Sequence, residues 1–192
     1  NSEYTEAMLS PNERIKTEPL KEGDRIKVYV VEVRNSTKGP QVLISRTHPG
    51  LVKRLFELEV PEIFDGTVEI KSIAREAGSR TKMAVWSTDP DVDPIGSCVG
   101  PKGGRVARIV DELGGEKIDI IKYSEIPEEY IAAALAPSEV VSVTMLEDGT
   151  KACRVIVPDD QLSLAIGKEG QNARLAARLT GFKIDIKPES EA

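Results

Sequence analysis

Asp93-Pro94-Ile95-Gly96-Ser97-Cys98-Val99-Gly100-Pro101-Lys102-Gly103-Gly104-Arg105-Val106-Ala107-Arg108-Ile109-Val110 reads as a short helix, a glycine-bounded turn and a second helix. Asp93 suits the cap of the first helix, and Pro94 its first position, where no backbone N–H is needed. Val106, Ile109, Val110 and Leu113 recur at helical spacing and give the second helix one apolar face. Between the helices, Gly100 and Gly103 let the backbone turn sharply and let a ligand approach it closely. The turn ends at a helix N-terminus, where free N–H groups and the dipole favour an anion. Lys102, Arg105 and Arg108 add positive charge, and no acid stands between Val99 and Val110. The pattern predicts a phosphate held against the backbone, although Pro101 offers no N–H of its own.

One Gly-x-x-Gly is weak evidence, but here it recurs. Leu164-Ala165-Ile166-Gly167-Lys168-Glu169-Gly170-Gln171-Asn172-Ala173-Arg174-Leu175 has the same plan, and each copy runs on to a similar strand, Lys117-Ile118-Asp119-Ile120 or Lys183-Ile184-Asp185-Ile186. The glycine pairs lie 67 residues apart and the Ile-Asp-Ile strands 66. A repeat of this size, glycines included, marks two copies of one supersecondary unit.

Working outward, each copy reads as α-β-β-α-α-β. In the first, a helix over Leu51–Glu59 ends at Pro61, a strand pair with period-two patterning (66–73 and 81–86) follows, and the helix pair and third strand complete the unit. In the second, a helix over 127–135 is stopped by Pro137, strands over 140–145 and 152–157 flank a turn, and Pro158-Asp159-Asp160 caps the helix 162–166. Ahead of both copies, 25–33 and 41–45 read as a strand and its return around a turn at 35–40, with a short strand at 6–9. Two or three strands cannot close a barrel. The fold class is therefore α+β: a partial β-module at 1–48, a first repeat with a leading helix at 49–124, a second repeat at 125–187 and a frayed tail at 188–192. His48 sits at the joint after the first module and is expected as a hinge or hydrogen-bonding residue.

Composition narrows the function. The 192 residues are 40% hydrophobic, 4% aromatic and 30% charged, with a formal net charge of −6. Bulk charge therefore argues against coating nucleic acid, though not against a local basic groove. Lys71, Arg75, Arg80 and Lys82, set against Glu76, join Lys102, Arg105 and Arg108 to make the middle of the chain its basic part. No apolar run approaches the roughly 20 residues of a membrane span. Cys98 and Cys153 read as buried thiols in a reducing compartment, and no cluster has metal-ligand spacing.

Three readings compete. The first is single-stranded RNA binding by tandem modules, in which each glycine loop grips the backbone of about four nucleotides while an apolar groove takes the bases. The second loop carries Glu169 and should grip less well alone. The second reading is a nucleotide-binding enzyme. G-x-x-x-x-G-K-[ST] needs Gly followed directly by Lys and then Ser or Thr, and neither loop provides this, so no catalytic residue and no cofactor is expected. The third is a protein-interaction scaffold, or a module of an RNA-processing complex.

The two Gly-x-x-Gly units resemble KH domains of the bacterial α-β-β-α-α-β kind. Gly23-Asp24-Arg25-Ile26-Lys27-Val28 and Leu43-Ile44-Ser45-Arg46 resemble the later strands of the OB-fold RNA-binding domain named after ribosomal protein S-one. With Leu43 to Gly50, Phe56 to Ile63, Ile73 to Lys82 and Gly115 to Ile120 added, essentially the whole chain resembles the NusA family of bacterial transcription elongation and termination factors. That resemblance implies a cytoplasmic, non-enzymatic factor that binds nascent RNA and RNA polymerase. It also implies action with other antitermination factors in pausing, termination and antitermination. The implied RNA-binding positions are Gly100, Pro101, Lys102, Gly103 and Arg105 in the first repeat, and Gly167, Lys168, Glu169 and Gly170 in the second. The family's polymerase-binding domain and early OB strands have no match here, so the chain is read as part of a longer protein. Polynucleotide phosphorylase also pairs KH and OB domains, but with a single KH placed before the OB.

Overall fold

The computed structural model describes residues 5–192; the first four residues of the leading module lie outside them. The module's sheet holds β1 (Ala7–Met8), β2 (Tyr29–Ser36) and β3 (Gly39–Ser45) in the order β1-β3-β2, with β1 parallel and β2 antiparallel to β3. It stays open, and Val30 and Val33 of β2 are 51% and 58% exposed. The strand expected from Arg25 begins only at Tyr29. Ladder pairing is replaced at Lys27, whose N–H donates to Glu112 Oε1 at 3.1 Å and whose carbonyl accepts from Arg46 Nη1 at 2.8 Å. The expected turn at 35–40 contracts to Thr37-Lys38, because both strands run on to pair Ser36 with Gly39.

The first repeat comprises α1 (Pro49–Glu59), α2 (Pro61–Phe64), β4 (Val68–Glu76), β5 (Arg80–Ser87), α3 (Pro94–Val99), α4 (Gly104–Glu112) and β6 (Lys117–Lys122). Local chemistry sets its helix starts. His48 Nδ1 accepts from the Gly50 N–H, Asp93 Oδ1 accepts from the Ile95 N–H, and Pro49, Pro61 and Pro94 open helices where no donor is lost. Pro61 thus ends α1 and also starts α2. β5 lies between β4, to which it is antiparallel, and β6, to which it is parallel. Period-two patterning fails on β5, where Thr81 to Val85 are all buried. Both faces are covered: Met83 and Val85 pack with Leu51, Phe56, Cys98 and Ile109, whereas Ala84 joins the core of the second repeat.

The second repeat follows the same order: α5 (Pro127–Ala134), β7 (Ser142–Met145), β8 (Ala152–Val157), α6 (Leu162–Ile166), α7 (Gln171–Thr180) and β9 (Lys183–Pro188). Register explains the repeated Ile-Asp-Ile. Asp119 stands opposite Lys82, and Asp185 opposite Arg154, so each central acid meets a cation across a parallel pair. The expected cap from Asp159 and Asp160 is not made. A 3₁₀ turn over Asp159–Gln161 precedes α6, and Asp159 Oδ1 accepts from the Ser190 N–H at 3.0 Å. That bond, with Pro188 buried opposite Val157, anchors the tail expected to fray.

The two repeats interlock. Leu179 O, near the end of α7, accepts from Ser72 Oγ at 2.9 Å and from Tyr130 Oη at 3.1 Å. Lys82 Nζ, fully buried, donates to Asp119 at 2.9 Å and to Ala136 O at 2.8 Å. The leading module is tied on by Arg46, 2% exposed, whose guanidinium binds Glu18, Lys27 O and Glu112 O.

Candidate nucleic-acid interface

The two glycine loops have one backbone. Gly100 and Gly167 lie at φ 76°, ψ 172° and φ 80°, ψ 169°. Gly103 and Gly170 lie at φ 72° and 75°, and the residues just before them, Lys102 and Glu169, at φ 54° and 56°. Each loop closes through the last glycine's N–H to the first glycine's carbonyl at 3.1 Å, and then enters α4 or α7. The left-handed placement of Lys102 and Glu169 is not a preference of either side chain. Both loops hold it, so it belongs to the motif.

The first and last glycines have different duties. A Cβ on Gly100 would come within 2.5 Å of Arg105 Cγ, and one on Gly167 within 2.7 Å of the Asn172 backbone nitrogen. The first glycine is therefore required by the helix that follows. A Cβ on Gly103 would meet nothing within 4 Å, so that position faces open space.

Of the predicted cations, Lys102 and Lys168 are exposed and have no acid within ion-pair reach among the described residues. Arg105 is committed: its Nη1 donates to Ser97 O at 2.7 Å and Glu62 Oε2 at 3.0 Å, while its stem covers Gly100. Arg108 reaches Glu59 at 3.4 Å. In the second repeat Asn172 takes the place of Arg105. Fully buried, it donates Nδ2 to Ala165 O at 2.9 Å and Leu135 O at 3.1 Å, so each loop is braced back onto the preceding helix.

The expected basic segment is largely neutralised. Arg75 is paired with the buried Glu116, Arg80 and Lys82 share Asp119, and Lys71 pairs with Glu69 at 3.0 Å. Burial is the main cause holding the Lys82 ammonium below its ordinary pKa. These residues fasten strands and are not a basic face. The two glycine loops stay accessible, and each lies in the same unit as an edge strand, β6 or β9. Those edge strands carry half-buried Ile118, Ile120, Ile184 and Ile186 beside α3 and α6.

Sequence reasoning missed Glu76. On β4 of the first repeat, it binds Arg174 of α7 at 2.7 and 2.9 Å, and Arg174 Nη1 donates to Glu169 O inside the second loop at 3.0 Å. No local signal announces a partner 98 residues away. Cys98 and Cys153 are free and buried, and among the described residues no group of His, Cys, Asp or Glu is placed to hold a metal. No helix is long and apolar enough to cross a membrane.

A three-stranded sheet with parallel β5/β6 or β8/β9, crossed by a helix pair around Gly-x-x-Gly and built twice in succession, defines a tandem KH protein. Residues 46–123 match the family model of the NusA-like first KH domain, and residues 127–192 that of the NusA-like second KH domain. The chain belongs to the NusA-like family. It is 65% identical to the transcription termination/antitermination protein NusA of Bacillus subtilis over 97% of this chain and 50% of that protein. It is 52% identical to the protein of the same name from Thermus thermophilus over 95% of this chain and 47% of that one. The chain thus spans about half the length of the curated relatives it matches. A solved structure titled "Crystal structure of APE1850" shares the fold at a TM-score of 0.52 and 22% identity, covering 71% of this chain and 95% of that one.

Proposed function

We propose that the two glycine loops grip the backbone of single-stranded RNA while the open edges of β6 and β9 receive its bases. On this reading the chain is the RNA-binding part of a cytoplasmic transcription factor. It acts with RNA polymerase and other antitermination factors in pausing, termination and antitermination, and performs no catalysis. The relatives' name, transcription termination/antitermination protein, supports the process. The observation that carries the RNA contact is the shared backbone of Gly100–Gly103 and Gly167–Gly170, including a left-handed Lys102 and Glu169. Such a turn feeding a helix N-terminus suits phosphate. Lys102 and Lys168 supply the free charge, Gly100 and Gly167 the tight entry, and Gly103 and Gly170 the open approach. Pro101 fixes the first loop's shape, Glu169 weakens the second loop's hold, and Arg105 braces the first loop from beneath. The division into a β-module over 1–48, a first KH over 49–124 and a second over 125–187 belongs to the same reading.

The test is fluorescence anisotropy of a labelled single-stranded RNA with the parent, Lys102→Asp and Lys168→Asp, each checked for folding by circular dichroism. Folded variants with weaker affinity and a shallower salt dependence support the reading. Folded variants that bind as the parent does overturn it.

A further inference from the structure

Between the leading module and the β4–β5 turn lies a cavity of about 370 Å³. Asn12, Arg14, Lys16, Thr17, Thr47 and Ser79 supply its polar lining, and no carboxylate residue lines it. In a chain of net charge −6 this departs from the average surface. Arg14 and Lys16 are exposed. Arg14 Nε donates to Leu9 O at 3.0 Å, and neither its terminal nitrogens nor Lys16 Nζ has an acid partner among the described residues. The acids next to lining residues in sequence are engaged: Glu13 Oε2 accepts from Thr47 Oγ1 at 3.3 Å, Glu18 holds Arg46, and Glu76 holds Arg174.

The cavity is held in place. Ile15, 6% exposed, presses on Gly78, where a Cβ would lie 2.7 Å from Ile15 Cγ2. One hydrogen bond links the cavity wall to the residue that follows the second loop. Ser79 on its wall accepts from Gln171 Nε2 at 2.7 Å, and Gln171 directly follows Gly170. The second loop itself places Glu169 beside Lys168 and so has little net charge to offer a phosphate.

We infer that this cavity is a third backbone-binding site, in which Arg14 and Lys16 hold a phosphodiester of the RNA strand that leaves the second loop across Gln171 and Ser79. The site supplies the cationic contact that Lys168-Glu169 lacks. This rests on the RNA-binding reading above.

The experiment compares the parent, Lys16→Glu and Arg14→Glu/Lys16→Glu on two labelled single-stranded RNAs. One has about four nucleotides, the length one glycine loop clamps, and the other about twelve. Lys38→Glu, on the β2–β3 turn, matches the charge change elsewhere on the leading module. The double variant is expected to bind the longer RNA about tenfold more weakly, with a salt slope shallower by roughly 1.4, which corresponds to two lost contacts on a single strand. Its binding of the short RNA and that of Lys38→Glu should stay at the parent's level. Unchanged affinity and slope for the longer RNA overturn the site while leaving the glycine loops standing. An equal loss in Lys38→Glu overturns it too, by showing a diffuse charge effect. A parent that binds neither RNA removes the reading on which the site rests.

Discussion

Glu76, at the end of β4, holds Arg174 of α7 through two hydrogen bonds of 2.7 and 2.9 Å, and Arg174 in turn donates to the Glu169 carbonyl within the second glycine loop. The first KH unit thereby reaches into the loop of the second. The Arg174 guanidinium is the main cause holding the Glu76 carboxyl below its ordinary value of 4.5. A carboxylate depressed in the folded state stabilises fully above its unfolded value, and that contribution is lost as pH falls through the lower folded value. The parent should therefore lose stability below pH 4.5 by a component that Glu76→Gln lacks. At neutral pH the variant should be weaker by about 1 kcal/mol, as befits a bidentate, partly exposed pair. Urea unfolding across the acid range measures both, and superposable pH profiles would refute the prediction.

Arg75 and Glu116 are the opposite case, with both side chains at 0% exposure. Glu116 also accepts from the Gly78 N–H at 2.7 Å and Thr81 Oγ1 at 2.7 Å, while Arg75 Nη1 donates to His48 O at 2.9 Å. Removing one member leaves a buried charge unpaired. Glu116→Ala should cost about 3–5 kcal/mol. Because Arg75 also ties the leading module to the first KH unit, the β4–β5 turn and the α1 N-terminus should lose hydrogen-exchange protection together. A loss below about 1 kcal/mol would mean that water or a neighbour replaces the carboxylate.

At alkaline pH both cores should lose stability through their buried acids. Burial, the main cause, pushes the Cys98 thiol from 9.0 up to about 12 and the Tyr130 hydroxyl from 10.0 to about 12. Each raised value contributes stability that is complete below the unfolded pKa and is lost as pH climbs through the folded one. Stability should therefore decline from pH 9 towards about 12. Lys82 acts in the other direction: its pKa is lowered, so the unfolded chain binds more protons and stability rises with pH just below 10.5. Cys98→Val should flatten the decline, and Lys82→Met should steepen it. The same slope in all three proteins would show that these groups do not govern the limb.

What could be read from the sequence was local. The Asp93 cap, the proline-led helices and the α-β-β-α-α-β order follow from residues within a few positions of one another, and the glycine loops were visible because they repeat. What could not be read was long-range. Arg75 and Lys82 look like free cations until Glu116 and Asp119, 41 and 37 residues on, are placed beside them. The strand expected from Arg25 fails for a similar reason, since Arg46 and Glu112 take the backbone of Lys27. The left-handed turn at Lys102 and Glu169 has no signal in either residue type. It comes from the glycines on both sides and from the braces at Arg105 and Asn172.

Those braces separate the two glycines of a loop experimentally. Gly100 lies at φ 76°, ψ 172°, a region open essentially to glycine alone, and its missing Cβ leaves room for the Arg105 stem. Gly100→Ala should therefore combine backbone strain with displacement of Arg105 from Ser97 and Glu62. A cost of about 2–3 kcal/mol is expected, with the turn itself distorted. Gly103, at φ 72°, has open space where a Cβ would stand, so Gly103→Ala should carry only the left-handed penalty of about 1 kcal/mol and keep the fold. Its methyl would nevertheless project to the side from which, on the proposed reading, a phosphate approaches. Gly103→Ala should thus lose RNA affinity out of proportion to its stability, whereas Gly100→Ala loses both together. Urea denaturation paired with RNA anisotropy on the two variants reads this directly. If Gly103→Ala keeps the parent's affinity, the open face of the loop is not where the strand lies.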